Sequence, residues 1–269
     1  MTRTGSATTA ADGRALYARC GVASDRSGIE WTEASWNPVT GCSKVSPGCA
    51  HCYAETLSLR FHWSQKPWLP EHEAENVVLH PERLDQPRRW RRPRVIFVNS
   101  MSDLFHERVP LSYVGDVFEV MAEESRHTFQ ILTKRAERLA ELAPLLPWPS
   151  NVWIGVSVEN MRWAARADYL RTVPAAVKFI SAEPLLGPLD TLDLDGIDWL
   201  IAGGESGARH RPMQAEWVRR LRDRCSDEGV PFFFKQWGGV RSKSGGRTLD
   251  GREHSDMPTR IDTAETVLA

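Results

Sequence analysis

Six short apolar segments recur along the chain, and their spacing constrains the fold more than any other feature of the sequence. Each is rich in β-branched or aromatic residues and is bounded by polar residues or glycine, the pattern of a strand that is buried on both faces. The six segments are residues 94–100, 128–134, 151–160, 177–183, 197–206 and 231–237. With an opening strand near residues 30–36, they predict a sheet of six or seven strands.

Helical patterns separate several of these segments. Residues 114–121 place four apolar side chains at i, i+3, i+4 and i+7, which is one face of a helix. Residues 139–146 give a weaker version, and residues 217–225 give another that ends before Gly229. Residues 184–196 contain two prolines and no helical pattern. Alternating strands and helices form parallel sheets with right-handed crossovers. We therefore predict an α/β fold, a partial (β/α)6-type TIM-like barrel.

The segments that flank this region differ from it in composition. Residues 1–28 lack the apolar stretch of a secretory signal, and we expect a poorly ordered leader there. Residues 29–240 would form the barrel domain, and the polar, glycine-rich residues 241–269 a tail or lid. No apolar run approaches the ~20 residues of a membrane span, and the net charge is −1. These features predict a cytoplasmic protein with no membrane partner.

Polar residues follow directly on the predicted strands. In a β/α barrel the chemistry lies at the C-terminal ends of the strands, so these positions are candidates for a site. Helix capping explains serines at such positions, but it does not explain charged side chains that come directly after an apolar strand. The glycine pair before Glu205 would let a ligand approach the backbone. The candidates are Ser100, Asp103, Lys134, Ser157, Glu159, Asn160, Glu183, Glu205 and Lys235.

Three of the five cysteines lie close together, with the spacing C-x6-C-x2-C. They are Cys42, Cys49 and Cys52, and in a chain without an export signal they favour metal binding over disulfides. A closed zinc site needs a fourth ligand, for which His51 and His62 are candidates. An iron–sulfur cubane normally takes four thiolates, so three would leave one iron open. Both kinds of metal site therefore remain candidates.

Seven ordered motifs carry a resemblance to a known family. They are TGCSKVSPGCAHCYAE, VNSMSDLF, LTKR, GVSVEN, SAEPLLGP, AGGESG and FFKQWG, between about Trp31 and Gly238. Together they resemble a phage- and prophage-associated three-cysteine family that is grouped with the radical S-adenosylmethionine (SAM) superfamily. The commonest cluster motif of that superfamily is C-x3-C-x2-C, and this chain has the longer first gap.

The resemblance implies a [4Fe–4S] cluster on the three cysteines, with SAM on its open iron. One electron, delivered by a small electron-donor protein, would then cleave SAM to a 5′-deoxyadenosyl radical. The superfamily usually places Gly-Gly-Glu after the second strand to bind the SAM amine. Here Ser100 or Asp103 occupies that place. Further candidates for the ribose, the carboxylate or the substrate are Lys134, Ser157, Glu159, Asn160, Glu183 and Glu205.

An arginine-rich segment precedes the strand at 94–100. It consists of Arg88, Arg89, Trp90, Arg91 and Arg92, and arginines around an aromatic residue suit phosphate contact and base stacking. A solvated crossover segment would have the same composition. With Lys235 as a further anion-binding candidate, the expected substrate is a nucleic acid or nucleotide that is modified or repaired. A partner protein that completes the site is also among the candidates.

Two other functional classes compete with the radical SAM enzyme. In the first, the cysteines hold a structural zinc ion in a nucleic-acid interaction protein. The second is a zinc nucleobase deaminase, because PGCAHC resembles the Pro-Cys-x-x-Cys motif of those enzymes. Their signature also needs a His-x-Glu motif upstream of the cysteines. The second is excluded because no histidine precedes His51 and because Gly48 separates Pro47 from Cys49. The polar strand ends favour the enzyme over the structural zinc protein.

Overall fold

The computed structural model describes residues 27–241 and 243–259, and seven of its strands form one curled parallel sheet, a half-barrel. The strands lie in the order β1, β4, β5, β6, β7, β8 and β9. Their bounds are Ala34–Trp36, Val95–Val98, Thr128–Thr133, Val152–Ser157, Val177–Ala182, Trp199–Gly203 and Phe232–Gln236. Two short strands, β2 (Val39–Thr40) and β3 (Val78–Leu79), form a separate antiparallel pair. The predicted partial barrel is confirmed.

The described part of the chain contains six α-helices. They span Tyr53–Arg60, Glu73–Asn76, Leu111–Glu123, Ala136–Leu142, Ala165–Arg171 and Ala215–Asp227. The face predicted within residues 114–121 is buried against the sheet in one large apolar core. Among the described residues no helix joins β7 to β8, as the prolines of that segment predicted. No helix of this part of the chain has the length and apolar character that would take it across a membrane.

Aromatic side chains fill the concave side of the sheet. We call this group the aromatic plug: Trp31, Phe97, Trp153, Phe179, Trp199 and Phe233. Trp31 precedes β1, and its ring lies 4.8 Å from that of Phe97 and 6.0 Å from that of Trp199 in edge-on contacts. Such contacts add to the stabilisation that burial of the rings provides. The plug therefore fills this side of the sheet with buried apolar side chains.

Residues 254–256 lie along the outer edge of β9. The Phe234 amide donates to the His254 carbonyl at 3.0 Å, and the Asp256 amide donates to the Phe232 carbonyl at 3.2 Å. The indole of Trp199 donates to the Asp256 carbonyl at 2.8 Å. Residues 1–26 of the expected leader, and residues 242 and 260–269 of the expected tail, lie outside the described residues. The division into leader, barrel and tail stays a prediction.

Candidate metal centre

A cavity of about 260 Å³ opens at the C-terminal ends of the strands. The sulfur-bearing residues Cys42, Cys49 and Cys52 all line it, and Trp31 and Phe97 of the aromatic plug form part of its floor. Polar candidates from several strand ends line the same space. They are Ser100, Asp103, Lys134, Ser157, Glu183, Glu205 and Lys235. The structure therefore brings together the cysteine motif and most of the predicted strand-end residues.

The cysteines lie on residues 40–52, which we call the cysteine loop. Gly41 opens it with φ +80°, and a Cβ at this position would overlap the backbone carbonyl of Asn76, so only glycine fits. A short 3-10 turn at Pro47–Cys49 follows, and Cys52 then begins the helix Tyr53–Arg60. The turn and the helix fix the backbone of two of the three cysteines.

Arg135 holds the first part of the cysteine loop. It follows β5 directly, and its side chain is only 4% exposed. The guanidinium donates to the carbonyl and the hydroxyl of Ser43, both at 3.1 Å, and to the sulfur of Cys42 at 3.5 Å. Sequence alone does not distinguish a ligand-binding Arg135 from one on the solvated surface. The structure buries the side chain, because the loop folds over the end of β5 and covers it.

Glu159 holds the middle of the loop from below. Its carboxylate is fully buried, accepts a hydrogen bond from the Ser46 hydroxyl and pairs with Arg166 at 2.9 Å. Arg166 in turn lies over the ring of Trp163 at 4.2 Å. Burial of a carboxylate without a partner is costly, so Glu159 and Arg166 stabilise each other. Glu159 thus holds the cysteine loop through its hydrogen bond with Ser46.

Glu205 and Arg211 hold the last part of the loop. Arg211 donates to the carbonyl of Pro47 at 2.9 Å and to the carboxylate of Glu205 at 2.9 Å. His51 Nδ1 lies 3.0 Å from the same carboxylate. Burial alone would raise the pKa of Glu205, but hydrogen bonds from Arg211 and His51 outweigh it and lower the pKa to about 2. Glu205 is therefore ionised at neutral pH and links β8 to the cysteine loop.

Replacing Glu205 by glutamine is expected to loosen the cysteine loop. Hydrogen bonds to a charged group contribute about 1.5–3 kcal/mol, so we expect amide hydrogen exchange in residues 41–52 to accelerate roughly tenfold. The wild-type protein should show the same loosening in acid. Since the folded-state pKa lies below the ordinary value of 4.5, the stabilisation is present above that pH and is lost as the pH falls toward 2.

Glu183→Gln is the matched control for this prediction. Glu183 lines the same cavity but pairs with Lys235 at 3.2 Å instead of with the loop. Its replacement should leave exchange in residues 41–52 unchanged. Equal exchange in wild-type protein and Glu205→Gln would show that Glu205 does not hold the loop.

Asp103 is buried, and protein donors occupy its carboxylate. It accepts hydrogen bonds from the Thr133 hydroxyl at 2.7 Å and from the Lys134 amide at 3.1 Å. It also accepts from the Phe105 amide at 3.0 Å and from Arg135 at 3.2 Å. Burial acts to raise the pKa of Asp103, but the Arg135 charge and these hydrogen bonds lower it overall. The geometry gives Asp103 a supporting contact with Arg135 in addition to its place on the cavity wall.

Two lysines from separate strands, Lys134 and Lys235, line the cavity. Lys134, at the end of β5, donates to the Ser157 hydroxyl at 2.9 Å, and within the described residues it pairs with no carboxylate. Lys235, near the end of β9, donates to Glu183, which also accepts from the Ser181 hydroxyl at 3.3 Å. An ammonium without a carboxylate partner is the more available of the two for an anionic ligand group.

Other sequence candidates lie outside the cavity lining. Asn160 caps a 3-10 turn by accepting a hydrogen bond from the Arg162 amide at 3.1 Å. The arginine-rich segment precedes β4, so it lies at the N-terminal end of that strand, opposite the cavity. Its members are Arg88, Arg89, Trp90, Arg91 and Arg92. Arg88 pairs there with Asp85 and Glu123, as a solvated surface residue does.

The glycine pair at the end of β8 serves the protein backbone. A Cβ at Gly204 would overlap the carbonyl of Trp237, and one at Gly203 would press on the carboxylate of Glu183. The Gly204 amide also donates to the Gln236 carbonyl at 2.9 Å. The chain segment after β9 thus requires glycine at 204, which also lines the cavity, and the approach of a ligand to this backbone stays a prediction.

Two of the three clustered thiols, Cys42 and Cys52, have raised pKa values. Burial raises the pKa of Cys42 to about 12 although Arg135 opposes it, and Cys49 and Cys52 raise it further. Burial likewise raises the pKa of Cys52. Among the described residues, no three His, Cys, Asp or Glu side chains group closely enough to hold a single metal ion. Three soft sulfur donors on one wall fit an iron–sulfur cluster, in which each thiolate binds a different iron.

Comparison with known proteins places the chain in a family. Residues 26–258 match the model described as "Protein of unknown function (DUF5131)", and the chain belongs to that family. No curated protein matches the chain.

Two solved structures show a distant likeness to the chain. One is spore photoproduct lyase complexed with dinucleoside spore photoproduct, at 14% identity and a TM-score of 0.45, over 74% of this chain and 62% of that one. The other is a double mutant of spore photoproduct lyase with bound AdoMet and dinucleoside spore photoproduct, at 15% identity and a TM-score of 0.44. That match covers 72% of this chain and 61% of the other. The chain thus spans about three fifths of the length of these structures.

Proposed function

We propose that this member of the DUF5131 family is a radical SAM-like iron–sulfur enzyme. Cys42, Cys49 and Cys52 would hold a [4Fe–4S] cluster whose remaining iron is open to SAM. One observation carries the proposal: all three thiols line a single cavity at the C-terminal mouth of a parallel half-barrel. That end of such a fold is where β/α barrels carry out chemistry, and three thiolates are one fewer than a closed cubane takes.

The candidates for a fourth zinc ligand are engaged elsewhere or face away. His51 is paired with Glu205, and His62 is exposed on the turn after helix Tyr53–Arg60. Cys225 is buried on the inner face of the helix Ala215–Asp227. A structural zinc ion would also have no need of polar side chains from six strands around it. These contacts favour the open cluster over the structural zinc site.

The chain's own residues would divide the remaining work. Bound cluster and SAM would supply one-electron cleavage of the sulfonium and a strong hydrogen-atom abstractor. Lys134 and Ser157 would bind the SAM carboxylate. The Lys134 ammonium lines the cavity, donates to the Ser157 hydroxyl and pairs with no carboxylate of the described residues. Asp103 and Glu159 would support the loop instead of contacting SAM. Glu183 and Lys235 would orient a polar group of the substrate at the far side.

The apolar floor would protect the reaction. Trp31, Phe97 and Leu132 line the cavity, and they belong to the buried aromatic plug or pack against it. Exclusion of water prevents side reactions of a reactive intermediate. The substrate would therefore enter from the mouth. We propose a nucleic acid or nucleotide as its class, a small protein as the electron donor, and a partner protein as a candidate for completing the site.

The test is metal analysis followed by a SAM cleavage assay. Protein purified and reconstituted without oxygen should contain about four irons and four sulfides per chain, as a single cubane requires. Dithionite and SAM should then yield 5′-deoxyadenosine. One zinc per chain, no iron and no cleavage would overturn the proposal and make the cysteines structural. Separate binding of a single-stranded oligonucleotide, with and without SAM, tests the substrate class.

A further inference from the structure

The guanidinium of Arg135 uses all five of its N–H donors, three of them on the cysteine loop. The Nε–H donates to Glu107 at 2.8 Å. One terminal nitrogen donates to Asp103 at 3.2 Å and to the sulfur of Cys42 at 3.5 Å. The other donates to the carbonyl and the hydroxyl of Ser43. A planar guanidinium has five donors in a fixed fork, so its orientation toward the sulfur is fully determined.

Two buried charges of opposite sign, Arg135 and Asp103, lie near Cys42. Arg135 is 4% exposed and its partner Asp103 is 8% exposed, while Glu107 is 56% exposed and therefore screened by water. The two buried charges thus act on the sulfur with opposite signs, at a depth where electrostatic interactions are weakly screened. Arg135 is the one in hydrogen-bonding contact with the sulfur.

Cations also lie near the other two cysteines. Lys134 interacts electrostatically with Cys52, and Arg166 with Cys49. The Ser46 hydroxyl lies 3.8 Å from the Cys49 sulfur, but it is neutral. Among the charged side chains of the described residues, Arg135 alone donates a hydrogen bond to a cysteine sulfur. Hydrogen bonds to the cluster sulfurs and nearby charge are the means by which a protein sets the reduction potential of an iron–sulfur cluster.

We infer that Arg135 is a positioning residue that sets the reduction potential of the cluster, through its hydrogen bond to Cys42 and its balance with Asp103. This inference rests on the proposed function. One electron added to the oxidised cluster, from dithionite in vitro or from a low-potential donor protein, makes the cluster and its thiolates more negative by one charge. A buried cation at a ligand sulfur stabilises the reduced form more than the oxidised form. Removal of the cation must therefore lower the potential.

The experiment is a redox titration followed by electron paramagnetic resonance on reconstituted protein without SAM. At one poised potential, Arg135→Gln should show a roughly tenfold lower ratio of reduced to oxidised cluster, which equals about 59 mV for a one-electron couple. Arg135→Lys keeps the charge but not the fork, and it should recover part of that loss. Arg138→Gln is the matched control. It removes the same charge one turn later, where the side chain donates to the Val109 carbonyl and to no cysteine.

Asp103→Asn provides a test of opposite sign. It leaves Arg135 and one of the two acceptor oxygens in place but removes the buried negative charge, so the ratio of reduced to oxidised cluster should rise. This variant decides the matter if the Arg135 variants do not fold or do not retain iron, which circular dichroism and iron analysis would show. If an Arg135 variant folds and loses activity but its cluster keeps the wild-type reduction potential, the role of Arg135 is structural only.

The outcomes separate this inference from the proposed function. A wild-type protein without a reducible [4Fe–4S] signal would overturn the proposed function and the inference together. A wild-type cluster whose potential is unchanged in the Arg135 variants that retain iron would overturn the inference alone. If none retains iron, an unchanged potential in Asp103→Asn would do the same. A shift in Arg138→Gln as large as that in Arg135→Gln would also overturn it, because contact with Cys42 would then not matter.

Discussion

Replacing Cys42, Cys49 and Cys52 together by alanine is expected to reduce bound iron from about four per chain to background and to abolish SAM cleavage. Alanine offers no ligand, and the one other cysteine of the described residues, Cys225, does not line the cavity. The fold should survive, because the three cysteines lie on a loop and the main apolar core lies between the sheet and the outer helices. Iron and sulfide analysis and chromatography of 5′-deoxyadenosine measure the effect, and circular dichroism checks the fold.

Cys225→Ala is the control for this triple variant. Its thiol is buried between the helix Ala215–Asp227 and the sheet, and it does not line the cavity. It should keep the full iron content and the full cleavage rate, although loss of a buried sulfur will cost some stability. SAM cleavage that survives in the triple variant would refute the radical mechanism. Iron that survives there would refute the assignment of the ligands.

Asp103→Ala is expected to lower the free energy of unfolding by about 3–5 kcal/mol. The substitution leaves Arg135 buried beside the cysteine loop without its buried counter-charge, and an unpaired buried ion is costly. It also leaves the Thr133 hydroxyl and two backbone amides without their acceptor. Urea unfolding of the metal-free protein measures the change without interference from cofactor binding.

The same contacts predict how stability depends on pH. The pKa of Asp103 is held below its ordinary value of 3.8, so its contribution is present above that pH. It is lost as the pH falls through the lower folded-state pKa. Asp116→Ala, an exposed aspartate on helix Leu111–Glu123, is the control and should change stability by less than about 0.5 kcal/mol. A loss below 1 kcal/mol in Asp103→Ala would mean that water or another anion replaces the carboxylate.

The strands and several of the cavity-lining residues at their ends could be predicted, because both depend on local sequence pattern. Apolar runs of strand length have few alternatives, and parallel strands bring their C-terminal ends to one edge. Lys134, Ser157 and Glu183 were found in this way, and all three line the cavity. Glu159 and Asn160 come two and three residues after β6, where the chain has already turned away from the mouth. Counting from a strand end does not show where that turn begins.

The contacts that hold the cysteine loop could not be predicted. Arg135 reaches Cys42 across 93 positions of sequence, and Arg211 reaches Pro47 across 164. No periodicity marks either residue, because the pairing depends on where a loop folds over a strand end. Arg135 did carry one signal, its place directly after Lys134 at the end of a strand. The same position next to solvent would look identical in sequence, so burial had to be seen in the structure.

Residues 254–256 bear on how the protein avoids self-association. A half-barrel does not close on itself, so its last strand would present unpaired amides and carbonyls to other copies. Here the backbone of this short segment occupies those groups on β9. Truncation before residue 254 would uncover them and expose the edge beside the Trp199 indole as well. Such a shortened protein should form larger aggregates at high concentration even if its cavity and cysteine loop stayed intact.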